Sequence, residues 1–226
     1  MVQYNKVELT SDEDNLFEKQ WDKFLTRHFK VREVIDIYQD HKDIIKEAAR
    51  IAKYQLEQPF GGANAETNQF GWTPILPNFL LNASAAPTYQ YGTWRQYITT
   101  AHVTDTTNGR GWKDWLGTSA NNLKLTKYGT MVVIAFEDPI NREMHSIGAL
   151  LAKIKGKDYP IWDFGEAMNN TDHPVFELTE PFIIEKEQDF YIQERCDRAG
   201  VSELRPLGVF YAKGDYMRNK SAYAQI

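Results

Sequence analysis

Hydrophobic and polar residues follow a helical period over the first 57 residues of the chain. Large apolar side chains recur three or four positions apart in two stripes, over residues 16–29 and 31–56. Thr10 and Ser11 stand before three acids at 12–14, which is typical of a helix N-terminus, because a hydroxyl caps the free amides and carboxylates suit the helix dipole. The pattern predicts an N-terminal helical region over residues 1–57, made of two or three amphipathic helices.

Residues 58–87 follow neither the helical nor the strand period. They are rich in glycine, proline and small polar residues, and a connection of this length is uncommon inside a compact domain. We therefore predict an extended arm over 58–87 that docks on a neighbouring subunit, where its apolar residues become buried. The five residues predicted to form this subunit interface are Ile75, Leu76, Phe79, Leu80 and Leu81.

From residue 88 onwards the chain alternates apolar and polar residues at period two. About eight short runs of this kind lie over residues 89–212, separated by turn signals such as Asn108-Gly109. The connections contain no helical stripe long enough to join parallel strands. The pattern predicts a mainly β domain over residues 88–226, folded as an antiparallel β-sandwich or barrel.

Residues 175–195 carry the clearest strand signal in this domain. Two alternating apolar runs flank a charged turn at 185–188, so we predict an antiparallel hairpin of two paired strands. Pro181 has no amide hydrogen to donate to a neighbouring strand. Its presence predicts a strand start or a sheet edge at this position.

The charge of the chain argues against direct nucleic-acid binding. The formal net charge is −5, the isoelectric point is about 5.6, and no run of Lys or Arg exceeds two residues, so polyphosphate would not be attracted. No apolar run approaches the ~20 residues that span a bilayer, and the polar faces of the N-terminal helices mix acids with bases. We therefore expect neither nucleic-acid binding nor membrane contact.

Cysteine usage and the N-terminal sequence point to synthesis in the cytoplasm. Cys196 is the single cysteine, so the chain has no intrachain disulfide and no thiolate metal cluster. The first residues lack the apolar region of a signal peptide.

A search for catalytic patterns favours a protein that is not an enzyme. The chain has no His-x-His pair of the kind that a cupin metal site needs, and its serines and Cys196 lie in no Gly-x-Ser-x-Gly context. Glu177 and Glu187 allow a glycosidase-like carboxylate pair, but alternation alone places surface acids at such positions. We predict no catalytic residues, no metal and no cofactor.

Four tryptophans of the β region allow a different function. Indoles stack on the apolar faces of sugar rings, so these residues are candidates for ligand binding; the alternative is that they fill the ends of the β-sandwich or subunit contacts. The four residues are Trp94, Trp112, Trp115 and Trp162.

The layout of the chain resembles the jelly-roll virion proteins of icosahedral and tailed viruses. A helical or extended N-terminal arm precedes a sandwich of about eight short strands, which contains Pro-Phe-Ile-Ile at 181–184, Asp-Phe-Tyr-Ile at 189–192 and a closing Leu-Arg-Pro-Leu-Gly-Val at 204–209. The resemblance covers residues 85–215, and the N-terminal helices depart from the simplest such proteins. It concerns layout and not a diagnostic motif, so it assigns no site residues. It implies a jelly-roll β-sandwich in a capsid protein or in an accessory capsid, neck or tail component.

The expected function is therefore that of a non-enzymatic structural protein of a virus particle. Such a protein would be made in the host cytoplasm and act in the virion, with copies of itself and other virion proteins as partners. The alternative is a carbohydrate- or receptor-binding β-sandwich module, and a glycan partner is expected only under that alternative.

Overall fold

The computed structural model describes residues 8–77, 94–106, 111–117, 122–139, 146–164 and 175–221. The chain is mainly β, with antiparallel sheets and an N-terminal helical region, as the sequence pattern predicts.

Three helices form the N-terminal region: α1 (Ser11–His28), α2 (Arg32–Asp40) and α3 (Lys42–Leu56). Thr10 begins α1 with a capping box, in which its Oγ1 accepts from the Glu13 amide at 3.3 Å and the Glu13 carboxylate accepts from the Thr10 amide at 2.7 Å. The predicted N-cap is thereby confirmed. Two further helices lie later in the chain: α4 (Thr100–Thr104) and α5 (Gly214–Ser221).

The first sheet has five strands in the order β1-β2-β13-β6-β10, and all its pairs are antiparallel except β1 with β2. Its strands are β1 (Phe60–Gly62), β2 (Phe70–Pro74), β6 (Gly129–Glu137), β10 (Val175–Ile184) and β13 (Arg205–Lys213).

The second sheet has six strands, all in antiparallel pairs. Four lie in the order β4-β11-β7-β8, while β5 also pairs with β11 and β9 with β7. Its strands are β4 (Trp112–Leu116), β5 (Leu123–Lys124), β7 (Ile147–Ile154), β8 (Lys157–Asp158), β9 (Trp162–Asp163) and β11 (Asp189–Cys196). A separate two-stranded sheet pairs β3 (Gln96–Ile98) with β12 (Gly200–Ser202).

Two apolar clusters hold three layers together, and β6 contributes to both because its side chains alternate between the faces of the first sheet. The inner cluster joins the two large sheets, and the helix-side cluster joins the first sheet to α1, α2 and α3. The inner cluster includes Met131, Val133, Leu150, Phe182, Phe190 and Ile192. The helix-side cluster includes Phe17, Trp21, Tyr38, Trp72, Val132, Ile134, Val209 and Tyr211.

The arm predicted over residues 58–87 differs from the structure in its first part. Residues 60–62 and 70–74 form β1 and β2, and β2 pairs with β13 inside the first sheet. Phe60 and Trp72 are buried against Phe17 of α1, and Phe70 is buried against Phe60. The glycines between these aromatic residues obscured the strand pattern in the sequence, although they permit close backbone approach, as where a Cβ on Gly71 would lie 2.1 Å from the Gly62 carbonyl oxygen.

The hairpin predicted over residues 175–195 is wrong. Its two strands, β10 and β11, follow one another in the chain but belong to different sheets: β10 pairs with β6, and β11 pairs with β4, β5 and β7. Their apolar residues face each other across the inner cluster instead of lying side by side. The prediction for Pro181 is confirmed, because β10 is the last strand of its sheet.

The side chain of Tyr38 on α2 forms hydrogen bonds with a β-bulge in the first sheet. The register of β13 against β6 shifts between Leu207 and Gly208, and Gly208 has a φ of +155°. The buried Tyr38 hydroxyl donates to the Gly208 carbonyl at 2.9 Å and accepts from the Gly208 amide at 2.7 Å. One side chain of the helical layer therefore satisfies both backbone groups that the bulge frees.

We expect Tyr38→Phe to destabilise the protein by about 2–4 kcal/mol, because it leaves a buried donor and a buried acceptor without their partner. Thermal or urea unfolding measures the effect. Tyr211→Phe is the matched control, since the buried Tyr211 hydroxyl makes one hydrogen bond, to the Ile45 carbonyl at 2.9 Å. A loss for Tyr38→Phe no larger than that of the control would contradict this role.

Candidate functional site

The predicted interface residues of the arm are only partly within the described residues. Ile75 is 4% exposed and belongs to the inner cluster, and Leu76 is partly buried against the same cluster. Ile75 is thus covered within its own chain, so its burial requires no neighbour. Phe79, Leu80 and Leu81 lie outside the described residues.

Three of the four candidate tryptophans lie inside the molecule. Trp94, Trp115 and Trp162 are between 5% and 9% exposed and belong to the inner cluster. Trp94 lies against Trp115 with ring centroids 6.2 Å apart, and Trp162 stacks on Phe182 at 5.6 Å. Their indole faces meet other aromatic rings. Trp112, the fourth, is partly exposed and belongs to neither cluster.

Trp112 lies on the outer face of the second sheet, opposite the inner cluster. Along β11 the even-numbered residues from Phe190 to Cys196 are buried inside, so Tyr191, Gln193 and Arg195 point outwards. The strand register aligns these three with outward residues of the neighbouring strands, in rows across the sheet. The paired residues are Trp112 and Asp114 on β4 and Ala149, Leu151 and Lys153 on β7.

We call these eight residues the open face, within which Ala149 and Gln193 are buried and the other six are partly exposed. Three of them, Trp112, Leu151 and Tyr191, are partly exposed apolar or aromatic side chains that belong to neither apolar cluster. Ile161, which precedes β9 at the border of the same sheet, is 56% exposed. With strands ~4.8 Å apart and outward residues ~6.7 Å apart along a strand, the open face measures roughly 15 Å in each direction.

Hydrogen bonds and ion pairs fix the polar groups of the open face. Gln193 donates from Nε2 to Asp114 Oδ1 at 2.9 Å, between β11 and β4. Arg195 donates from Nε to Asp197 Oδ1 at 2.8 Å, and its Nη2 lies 3.5 Å from Asp163 Oδ2. The hydrogen bond to Asp197 and the two nearby carboxylates raise the pKa of the Arg195 guanidinium.

Gly148 leaves room for the ion pair of Arg195 with Asp197 at the edge of the open face. A Cβ on Gly148 would lie 1.6 Å from Asp197 Oδ2 and 2.9 Å from Arg195 Nη2, so a side chain there would displace the ion pair. No local pattern pairs Gly148 with Asp197, because the contact depends on the position of the residues that follow β11.

A buried charge pair lies directly beneath the open face, on the inner side of the same strands. Glu194 of β11 is fully buried, and its Oε1 is 2.8 Å from the Lys113 ammonium of β4. Gln96 of β3 joins the two, since its Nε2 donates to Glu194 Oε2 at 3.1 Å and its Oε1 accepts from Lys113 at 2.9 Å. Desolvation raises the pKa of Glu194, and the nearby Lys113 opposes this effect.

This charge pair connects the two-stranded sheet to the second sheet. Gln96 lies on β3, whereas its two partners belong to β4 and β11. The sequence analysis missed all three residues. Alternation alone places Lys113 and Glu194 among polar residues of half-buried strands, and only the register of β4 against β11 brings them together.

Other groups considered as candidates for chemistry have structural surroundings. Cys196 is buried in the inner cluster, and burial raises the pKa of its thiol to about 12, so it is a packing residue. His41 Nε2 lies 2.9 Å from Glu177 Oε1 and so connects the helical layer to β10. Within the described residues, no group of three or more His, Cys, Asp or Glu side chains is placed to hold a metal ion.

Chemically, the open face offers aromatic surface, one aliphatic side chain and polar groups held in fixed positions. Partners that recognise such a surface are another protein surface, where Tyr, Trp and Arg are enriched, or a saccharide, whose ring faces stack on aromatic side chains. None of the helices in the described part of the chain is long and apolar enough to cross a membrane. No known protein family matches the chain, and no curated protein is significantly similar to it.

Proposed function

We propose that this protein is a non-enzymatic structural component of a virus particle, built on a jelly-roll sandwich, and that it acts through contacts with copies of itself and with other virion proteins. The observation that carries the proposal is the unequal covering of the two large sheets. The first sheet is covered by α1–α3, whereas the open face of the second keeps Trp112, Leu151 and Tyr191 partly exposed.

The open face suits the centre of a subunit contact. Aromatic side chains and Arg are enriched in the buried part of protein interfaces, and side chains held by hydrogen bonds lose little entropy when a partner binds. A stable interface buries about 800 Å² on each partner, more than a patch roughly 15 Å in each direction supplies. Further segments must therefore complete the contact, and Phe79, Leu80 and Leu81, predicted from the sequence as interface residues, remain our candidates for that part.

The free edge of β10 is the competing route to assembly, and its side chains disfavour it. Among the described residues β10 pairs with β6 alone, so its other edge is available for strand addition. However, Pro181 has no amide hydrogen, the register is interrupted between Glu177 and Phe182, and Glu177 and Glu180 are exposed. Proline, irregular register and charge are the features that protect an edge strand from pairing, so we place subunit contacts on the open face.

Trp112→Glu is expected to dissociate the assembled protein without unfolding it. A carboxylate in the centre of an interface remains unpaired when the contact forms, which costs several kcal/mol, so we expect the affinity between subunits to fall at least about 100-fold. Mass photometry measures the assembly and circular dichroism the fold. Tyr97→Glu is the matched control, because Tyr97 is 69% exposed on β3, away from the open face. Unchanged assembly of Trp112→Glu would contradict the proposal.

A saccharide-binding module is the second candidate function, and the combination of Trp112 with the Asp114–Gln193 pair favours it. A partly exposed indole provides a stacking surface, and Asp114, held in place by the buried Gln193, provides carboxylate oxygens that accept from hydroxyl groups. Binding on a glycan array that is saturable and lost in Trp112→Ala, by a protein that stays monomeric, would support this candidate. Trp115→Ala is unsuitable for this test, because Trp115 is buried in the inner cluster.

A further inference from the structure

A pocket of about 310 Å³ lies between the α1–α2 connection and the neighbouring ends of β6 and β13. Its apolar wall consists of Phe29, Val31, Val34 and Pro139. Its polar groups are His28, Lys30, Glu137 and Arg205. The pocket lies on the helix-covered side of the first sheet, whereas the open face belongs to the second sheet. Its role is therefore independent of the proposed subunit contact.

Basic groups are concentrated around this pocket in a chain whose net charge is −5. Lys30 and Arg205 line it, whereas Arg27 and Arg32 belong to the same stretch of chain without lining it, and Arg32 pairs with Asp36. Two bases in the last turn of α1 complement the helix dipole, which accounts for Arg27 and His28. Lys30 also interacts with this helix end, since its Nζ donates to the Thr26 carbonyl at 3.3 Å, while Arg205 approaches the pocket from β13.

Arg205 is held in the pocket wall by the buried Glu137. Its Nε donates to Glu137 Oε2 at 2.7 Å, while its side chain stays 39% exposed. An Arg bonded through Nε keeps the two terminal nitrogens of its planar fork available to an oxyanion. The Glu137 carboxylate offsets part of the positive charge, and Lys30 supplies a second cation.

The start of α2 borders the same wall through Val31 and Val34. Val31 is the N-cap residue of this nine-residue helix and provides no side-chain cap, so its side chain satisfies none of the first free amides. His28 is exposed at the rim of the pocket, and desolvation together with Arg27 lowers the pKa of its imidazole. An anion in the pocket would raise the pKa of His28 again.

We propose that this pocket binds a small organic anion, with its charged group at Arg205 and Lys30 and its apolar part on Phe29, Val34 and Pro139. A carboxylate with a short hydrocarbon chain has this chemistry. If each non-hydrogen atom occupies ~25 Å³, comparable with the ~30 Å³ of a water molecule in the liquid, the pocket holds about a dozen such atoms.

Octanoate is the probe that tests the proposal on the full chain. Calorimetry is expected to show saturable binding of octanoate, whereas acetate lacks the apolar part and octanamide lacks the charge, so both should bind at least about tenfold more weakly. Nuclear magnetic resonance of the histidine rings gives a second readout. Octanoate is expected to raise the pKa of His28 and to leave His102, on α4, unchanged.

Lys30→Glu is the variant that tests the site, because Lys30 is exposed and its replacement spares the ion pair of Glu137 with Arg205. We expect it to weaken octanoate binding at least about tenfold. Lys23→Glu makes the same charge change at an exposed position of α1 outside the pocket and is expected to bind octanoate normally. Equal binding of octanoate and octanamide, an unchanged His28 titration, or equal binding by Lys30→Glu and Lys23→Glu would each overturn the proposal.

Discussion

Removal of residues 1–57 is expected to leave a chain that does not unfold cooperatively and that aggregates. The three helices cover one whole face of the first sheet, where the buried residues include Phe70, Val132, Ile134, Leu207 and Val209. Exposure of a buried side chain of this size costs about 1.5–3 kcal/mol, so these five alone account for roughly 7–15 kcal/mol. That range equals the whole stability of a typical domain.

Thermal unfolding followed by circular dichroism, together with solubility, measures the result of this truncation. The control is a truncation of residues 1–7, which retains every residue of the helix-side cluster. If the chain without residues 1–57 were soluble and unfolded in one cooperative transition, the helices would be a separate unit and the layered description would be wrong.

Lys113→Met is expected to destabilise the protein by about 3–5 kcal/mol, because it leaves the fully buried Glu194 carboxylate without its cation. Gln96 still donates to Glu194 Oε2 in this variant, but a neutral amide does not compensate a buried charge. Urea unfolding at neutral pH measures the loss.

A double-mutant cycle separates the ion pair from the packing of the two side chains. Glu194→Gln removes the buried charge, so the double variant Lys113→Met with Glu194→Gln is expected to be more stable than Lys113→Met alone. Additive effects of the two changes would contradict coupling between these residues.

The pH dependence of this cycle follows from the raised pKa of Glu194. A carboxyl group whose pKa is higher in the folded than in the unfolded protein stabilises the fold when it is protonated, and this contribution is lost as the pH rises through the folded value. The deficit of Lys113→Met should therefore be smallest below the ordinary glutamate pKa and should increase as the pH rises. A deficit that is constant with pH would contradict a pKa of Glu194 that differs between the folded and the unfolded protein.

Periodicity predicted the elements of this fold more reliably than their partners. The helical stripes over residues 16–56 and the cap at Thr10 depend on local sequence, so the sequence alone revealed them. β1 and β2 were not visible, because they are short, contain glycine and are stabilised by the distant strand β13 and by α1.

The predicted hairpin was wrong for a similar reason. A turn between two alternating runs is equally compatible with strands that pair and with strands that cross from one sheet to another. Here the connection uses its backbone groups elsewhere: the Glu187 amide donates to the Leu125 carbonyl at 3.0 Å, and the Leu125 amide donates to the Gln188 carbonyl at 3.1 Å. These partners lie about 60 residues away in the sequence, so no local pattern reveals them.

The candidate site was predicted only in part. Trp112 was identified, but the sequence did not distinguish it from Trp94, Trp115 and Trp162, because tryptophan is common both in cores and on contact surfaces. The distinction depends on strand direction: Lys113 faces the buried Glu194, which leaves Trp112 and Asp114 on the opposite side of β4. The Gln96–Lys113–Glu194 group required three strands in register and had no sequence signal.

Hydroxyl-radical footprinting of the full chain, in its assembled and its dissociated form, tests most directly whether subunits meet at the open face. We predict that oxidation of Trp112 and Tyr191 falls several-fold on assembly, whereas oxidation of Tyr97 stays the same. Equal oxidation of Trp112 and Tyr191 in both forms, or a chain that remains monomeric at every concentration, would contradict the account.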